Sequence, residues 1–262
     1  VSDKIIFLGT AGARFVVTSQ IRASGGMWLS LGKTNLYLDP GPGALVKCRS
    51  RREKLDPVKL NGIILSHRHL DHSCDVNIMI EAMTKGGFEK RGKVFAPAQA
   101  LEDDPVILRY VREYVEDVVV LKEGGEYQLG EVSFSTPLRH IHGEAETYGI
   151  NFSFSPYTIS YIADTRFFPQ LIEQYRGQLL IINVVRLKPS ELDHLSLQDA
   201  ERIITEVKPK AAVLTHFGMT MIRAKPWELA AELSQRTGVE VIAARDGMTF
   251  ELEKLKRAFK IG

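Results

Sequence analysis

Four times along this chain an apolar, strand-like run leads into a histidine or an aspartate. Gly62-Ile63-Ile64-Leu65-Ser66 runs into His67-Arg68-His69-Leu70-Asp71-His72. Val132-Ser133-Phe134-Ser135-Thr136 precedes His140 and His142. Thr158-Ile159-Ser160-Tyr161-Ile162-Ala163 ends at Asp164, and Ala211-Ala212-Val213-Leu214-Thr215 ends at His216. Apolar runs of this length, bounded by polar residues, read as buried strands. Groups carried at strand ends converge on one edge of a sheet. The repeat therefore calls for a mixed α/β protein whose chemistry is gathered along such an edge.

The first of these ends is the densest. Three of the chain's seven histidines, together with Asp71, fall between His67 and His72. Neutral imidazole and carboxylate oxygen suit zinc, manganese or iron, and open catalytic sites are built from such groups. A chance cluster of surface histidines is the bland alternative. His194 stands just before a helix start, Leu195-Ser196-Leu197-Gln198-Asp199, where Ser196 is placed to cap a helix running to Val207.

The rest of the chain supplies strands and helices in a mixed order. Strands are expected at Lys4–Leu8, Met27–Leu31, Asn35–Asp39, Lys93–Ala96, Val118–Leu121, Ile150–Phe154, Leu179–Val184, Glu240–Ala243 and Thr249–Leu252. Helices are expected at Asp71–Met83, Pro105–Val115 and Pro226–Arg236, the last stopped by Gly238. Gly32-Lys33-Thr34 is a turn between strands. It is not a phosphate loop, since the required earlier glycine is Met27 and a strand, not a helix, follows. With 44% hydrophobic and 25% charged residues, composition fits a soluble domain with a sizeable core, read as one domain over residues 1–262. A net charge of +2 argues against a bulk nucleic-acid partner. No apolar run reaches membrane-spanning length, and no leader segment is apparent. Cys48 and Cys74 make no disulfide framework and read as buried small hydrophobes, so a reducing cytoplasm is the expected setting.

These residues resemble the metallo-β-lactamase superfamily of hydrolases, nearest its tRNase Z and phosphodiesterase branch. His67 to His72 matches that superfamily's His-x-His-x-Asp-His signature. Phe7-Leu8-Gly9-Thr10-Ala11-Gly12 resembles its opening strand and turn, and Leu38-Asp39-Pro40-Gly41 its Asp-x-Gly loop. His142, Asp164 and His216 follow in the family's order. The resemblance implies an αββα sandwich of two mixed β-sheets with outer helices. It implies two divalent metal ions, zinc first, with manganese or iron as alternatives. His67, His69 and His142 would hold one ion, Asp71, His72 and His216 the other, and Asp164 would bridge them with a hydroxide. Asp71 and His194 are the candidate catalytic side chains. His194 resembles a late histidine that serves as proton donor, and a structural helix-entry histidine is the equal alternative. Asp39 would orient a ligand from behind, or only form a turn. Asp246-Gly247 reads as a turn.

Between His140 and His142 the spacing to Tyr148-Gly149 favours His142 as ligand, leaving His140 as a neighbour of the site. On a strand the two would point the same way. The basic run Lys47, Arg49, Arg51, Arg52 and Lys54 reads as a solvated face, with a phosphate-steering rim as the sharper alternative. A small phosphodiester is the expected substrate. A thioester, lactone or amide is the alternative within hydrolysis, and a non-hydrolytic oxidoreductase or regulatory module the alternative outside it. Only 21 residues separate His142 from Asp164, too few for a long tRNA-binding arm. Self-association is left open.

Overall fold

The structure is a computed structural model describing residues 2–256. In chain order β1 (Lys4–Phe7), β2 (Met27–Leu31), β3 (Thr34–Leu38), β4 (Gly62–Ile64), β5 (Lys93–Pro97) and β6 (Asp117–Leu121) build one sheet. Strands β7 (Gly125–Leu129), β8 (Val132–Thr136), β9 (Ile150–Phe154), β10 (Tyr157–Ile162), β11 (Leu179–Asn183), β12 (Ala211–Thr215) and β13 (Glu240–Ala243) build the second. β14 (Met248–Glu251) then returns to the first. The orders are β14-β1-β2-β3-β4-β5-β6 and β13-β12-β11-β10-β9-β8-β7. The helices are α1 (Ala13–Thr18), α2 (Ala44–Ser50), α3 (Leu70–Ser73), α4 (Val76–Met83), α5 (Gln170–Gln174), α6 (Leu197–Val207), α7 (Met219–Arg223) and α8 (Pro226–Thr237).

The period-two alternation of each strand divides its side chains between two cores. Ile5 and Phe7 of β1 enter the layer between the sheets, with Leu29, Ile64, Phe134, Ile159, Tyr161 and Val213. Ile6 faces the opposite way and packs with Trp28, Tyr37 and Ile63 against Val76, Met79, Ile80 and Met83 of α4. On the far side, Ile162, Leu180, Ile182 and Leu214 meet Ala200, Ile203 and Ile204 of α6 and Leu233 of α8. The layers are helix, sheet, sheet, helix, which is the αββα sandwich of the metallo-β-lactamase fold. α6 is held at its start by a capping box in which the Ser196 hydroxyl and the Asp199 carboxylate serve each other's backbone N–H groups. Such a cap contributes about 1 kcal/mol.

Parallel pairing places the chemistry. β3, β4 and β5 are parallel, and so are β10, β11, β12 and β13. Parallel strands deliver their carboxyl ends to the same edge, so Asp39, His67, Asp164 and His216 leave their sheets side by side.

Four local expectations are corrected. Residues 105–115 form no α-helix; only Tyr110–Tyr114 is a short 3-10 turn. The backbone there is served by side chains instead of a helical ladder: Arg112 donates to the carbonyls of Ile107 and Leu101, and Asn77 bonds Val106 and Leu108. The helix expected over Asp71–Met83 is broken after Ser73, where the Asp75 N–H is drawn to the Pro40 carbonyl, 2.9 Å away. Cys74 sits at that break and is exposed, unlike the buried Cys48. His140 and His142 lie beyond the end of β8 in irregular backbone, so strand alternation does not govern them. β7, an edge strand with only Leu129 fully buried, was not anticipated. Its Gly-Glu-Tyr-Gln-Leu run carries little of the apolar signal that marks a strand.

Candidate metal centre

Two glycines let the loops of the site approach one another. A Cβ on Gly12 would lie 2.2 Å from the His216 carbonyl oxygen, and one on Gly41 would lie 2.0 Å from that of Asp71. The opening loop is thereby pressed on His216, and the Asp39 loop on the start of α3. Asp39 and His216 both adopt left-handed backbone, at φ 55° and 59°. This is a conformation that residues other than glycine take up only when their surroundings hold them there.

Two groups of side chains converge here. His67, His69 and His142 form one, and Asp71, His72 and His216 the other; within each group the potential ligand atoms lie within 4.8 Å of one another. Asp164 stands between them. Its Oδ2 is 3.3 Å from His216 Nε2, 3.7 Å from His72 Nε2 and 3.7 Å from His142 Nε2. His194 joins from the side, with Nδ1 3.6 Å from the same oxygen. His140 does not join. It is buried, and its Nε2 bonds the Tyr175 hydroxyl at 3.0 Å.

Hydrogen-bond partners assign the tautomers. His142 Nδ1 lies 2.9 Å from the Asp193 carbonyl, which can only accept, so this nitrogen carries the proton. His72 Nδ1 lies 3.0 Å from Asp39 Oδ2 and donates to it. The Ser66 hydroxyl donates to that same oxygen at 2.7 Å, and so accepts from His67 Nδ1 at 3.0 Å. Each of these rings therefore turns a bare Nε2 lone pair into the site. His67 Nε2 and His142 Nε2 both face His69 Nδ1 at 3.1 Å, and His72 Nε2 faces His216 Nε2 at 3.3 Å. One His69 proton cannot serve two acceptors. Converging lone pairs and buried carboxylates are the donor set of a divalent cation, and the residues present fit one.

Titration agrees with this for His67 and His69, whereas at His72 a cation would have to displace a proton. Burial holds His67 well below the ordinary imidazole range, and His72, His69 and His142 add to the effect. Burial likewise lowers His69, followed by His142. Both are neutral, which is the ligating form. For His72 burial acts downward, but Asp71 and Asp39 together with bonds to Asp164 and Asp39 carry it well above the ordinary value. For Asp164 burial acts upward, yet His216 and His72 hold it well below the usual carboxylate range, so it stays charged. His140 is pushed down by burial to about 3, against the pull of Asp164.

Several supporting residues were missed in the sequence. Asn183 donates to Asp164 Oδ1 at 2.8 Å and to the Tyr161 hydroxyl at 3.1 Å, and Tyr161 donates to Asp39 Oδ2 at 2.9 Å. Asn183 had a signal, since it ends the apolar run of β11 just as Asp164 ends that of β10. Tyr161 had none; its partner is 122 residues away. Asp193 both orients His142 through its carbonyl and accepts from the Gly143 N–H at 2.8 Å. Asp246 does more than make a turn, for its carboxylate takes the Thr10 N–H and hydroxyl and the Ala23 N–H.

A two-sheet sandwich with a histidine and aspartate cluster at its strand ends defines a class, the metallo-β-lactamase-fold hydrolases. The chain belongs to this superfamily: residues 34–217 match the family described as Beta-lactamase superfamily domain. It is 35% identical to the uncharacterized protein MJ1374 of Methanocaldococcus jannaschii, covering 98% of both chains. Among solved structures it is similar to the metallo-β-lactamase fold protein YhfI of Bacillus subtilis, with TM-score 0.79 and 21% identity over 96% of this chain and all of that one. It is also similar to a diphosphatase from the PhnP family, with TM-score 0.70 and 21% identity over 96% and 97% of the chains. At these identities the two solved structures speak for the fold alone. No helix among the described residues is long and apolar enough to cross a membrane.

Proposed function

We propose that this protein is a dinuclear, metal-dependent hydrolase of a small phosphodiester. The observation that carries the reading is the pair of three-residue ligand groups with one carboxylate oxygen, Asp164 Oδ2, between them. His67, His69 and His142 would hold one ion and Asp71, His72 and His216 the other, with Asp164 shared. Two zinc ions so held would supply an acidified water as nucleophile and stabilise the charge that develops on the reacting phosphoryl oxygens.

The chain's own residues do the rest. Asp39, Ser66 and the Asp193 carbonyl keep the proton on the outer nitrogen of His72, His67 and His142, and so keep the inner nitrogen bare. Asn183 fixes the Asp164 carboxylate by holding Oδ1, which leaves Oδ2 facing the histidines. His194 is largely buried, and its Nδ1 has no hydrogen-bond partner. Burial lowers its pKa against the pull of Asp164. A bound phosphodiester anion would raise it again, which places a proton beside the leaving alkoxide.

The resemblance to tRNase Z does not extend to tRNA processing in this proposal. Between His142 and Asp164 the chain forms a turn and the short antiparallel pair β9–β10, and no arm projects there. The same ligands would also serve thioester, lactone or amide hydrolysis, so the test is comparative. Purified protein reconstituted with zinc is assayed on bis-p-nitrophenyl phosphate, a thioester and a lactone, with metal content measured alongside. Turnover of the phosphodiester above the other two, with about two ions per chain, is expected. Turnover of only the thioester or lactone, or active protein with well under one ion per chain, would sink the proposal.

A further inference from the structure

Beyond the metal centre, on the other side of the Gly9–Gly12 loop, lies a surface cavity of about 300 Å³ lined by Arg22, Trp227, Arg245 and Asp246. Its composition is unusual for a solvated face. Trp227 is 47% exposed, at the start of α8, whereas the chain's other tryptophan, Trp28, is buried and bonded to Ser30 and Asn35. The arginine ion pairs of the described residues involve Arg49, Arg68, Arg166, Arg202 and Arg236, and neither Arg22 nor Arg245. The one carboxylate in the wall is already engaged: Asp246 Oδ1 accepts from the Thr10 N–H and hydroxyl, and Oδ2 from the Ala23 N–H at 2.7 Å.

Arg22 is pinned in place. Its Nη1 donates to Thr10 Oγ1 at 3.0 Å and to the Ala244 carbonyl at 3.2 Å, and its guanidinium lies 5.2 Å from the centre of the Phe217 ring. Burial lowers the Arg22 pKa; the charge of Asp246 opposes this, and that of Arg245, also close by, adds to it. Two cations against a single carboxylate that is already hydrogen-bonded, beside a half-exposed indole, offer complementary contacts for a ligand that is flat at one end and anionic at the other. Guanidinium binds phosphate through paired N–H groups, and an indole stacks on any nucleobase.

We propose that this cavity is a binding site for a nucleoside monophosphate, with Trp227 stacked on the base and Arg245 and Arg22 on the phosphate. The site is separate from the metal cluster and stands or falls independently of the phosphodiester reading.

The test uses the metal-stripped full chain, so that binding at the metal centre does not contribute. Adenosine 5′-monophosphate is titrated while tryptophan emission is followed, Trp28 serving as the shielded internal reference. Saturable quenching is expected, with inorganic phosphate and adenosine each binding more weakly than the nucleotide. Arg245→Glu should weaken binding about tenfold or more, because it removes one charge-assisted contact and adds repulsion. Trp227→Phe should abolish the quenching while calorimetry still detects the nucleotide. Absence of saturable quenching and of calorimetric heat would overturn the proposal. So would nucleotide binding that Arg245→Glu leaves unchanged, since the variant lies on an exposed loop and spares the fold.

Discussion

Asp39→Asn tests the logic of the site more sharply than removing any ligand. The carboxylate accepts four hydrogen bonds: Oδ1 from the Ser66 N–H at 2.7 Å, and Oδ2 from the Ser66 hydroxyl at 2.7 Å, Tyr161 at 2.9 Å and His72 Nδ1 at 3.0 Å. Asparagine has the same shape and takes up left-handed backbone more readily than most residues, so the φ of 55° is no obstacle. The amide, however, presents one oxygen and one NH2. In one orientation the NH2 faces the three donors at Oδ2; in the other it faces the Ser66 N–H. In the first orientation His72 loses its acceptor at Nδ1, and the tautomer with hydrogen on Nε2 points N–H into the metal site; in the second His72 keeps only an uncharged amide oxygen, and the Ser66 N–H is left facing the NH2. Loss of such a supporting partner lowers metal affinity about 10- to 100-fold. The buried donors left facing an NH2 cost on the order of 2–4 kcal/mol in the metal-free protein. For a chain of this size that is a fall of very roughly 5–10 °C in Tm. The assays are zinc competition against a chromophoric chelator and thermal unfolding with and without metal. An ion held through His72 is expected to suffer specifically, while affinity at His67, His69 and His142 is spared. Unchanged affinity for both ions in a variant with the expected drop in Tm would refute this expectation.

Other outcomes follow from the same geometry. His142→Ala should lower affinity for one ion by more than about 100-fold, since a three-ligand group drops to two. His140→Ala should spare metal content and show instead a stability loss on the order of 1–3 kcal/mol, from the broken bond to Tyr175; a reversed pattern in a chelator titration would move the ligand to His140. His194→Ala should retain both ions and lose about 100-fold in kcat on an alkyl phosphodiester, with a smaller loss on a p-nitrophenyl ester whose leaving group needs no proton. Equal losses on the two substrates would rule out proton donation. On acidification the group containing His72 should release its ion first. The His72 pKa is raised, so below it each pH unit lowers apparent metal affinity about tenfold, whereas His67 and His69 are lowered and remain ligating. In metal-free protein the raised His72 contributes stability that is fully present below its ordinary pKa and fades as pH rises through the raised one. Simultaneous release of both ions across a stepped pH series would contradict this order.

What the sequence determined by itself is what depends on neighbours along the chain. The runs of β2, β8, β9, β12 and β13 were legible residue for residue, because burial on one face imprints alternation on β8, β9 and β13 and burial on both faces imprints a continuous run on β2 and β12. So was α6, whose cap and amphipathic face are local. The candidate ligands were legible because each ends or follows an apolar run, and parallel pairing makes strand ends neighbours. Tertiary structure alone decided the rest. It broke the helix at Cys74 by drawing Asp75 to Pro40, and it replaced the helix expected before Val115 with side-chain bonds, Arg112 taking the Ile107 carbonyl and Asn77 the Val106 carbonyl. It turned His142 towards His69 and His140 towards Tyr175, a choice made in irregular backbone where no periodicity operates. It joined Asp39, Tyr161 and Asn183 into one network spanning both sheets. Hydrogen bonds between residues more than a hundred positions apart leave no pattern in a single chain, because each partner's local surroundings are satisfied without the other until the sheets pack.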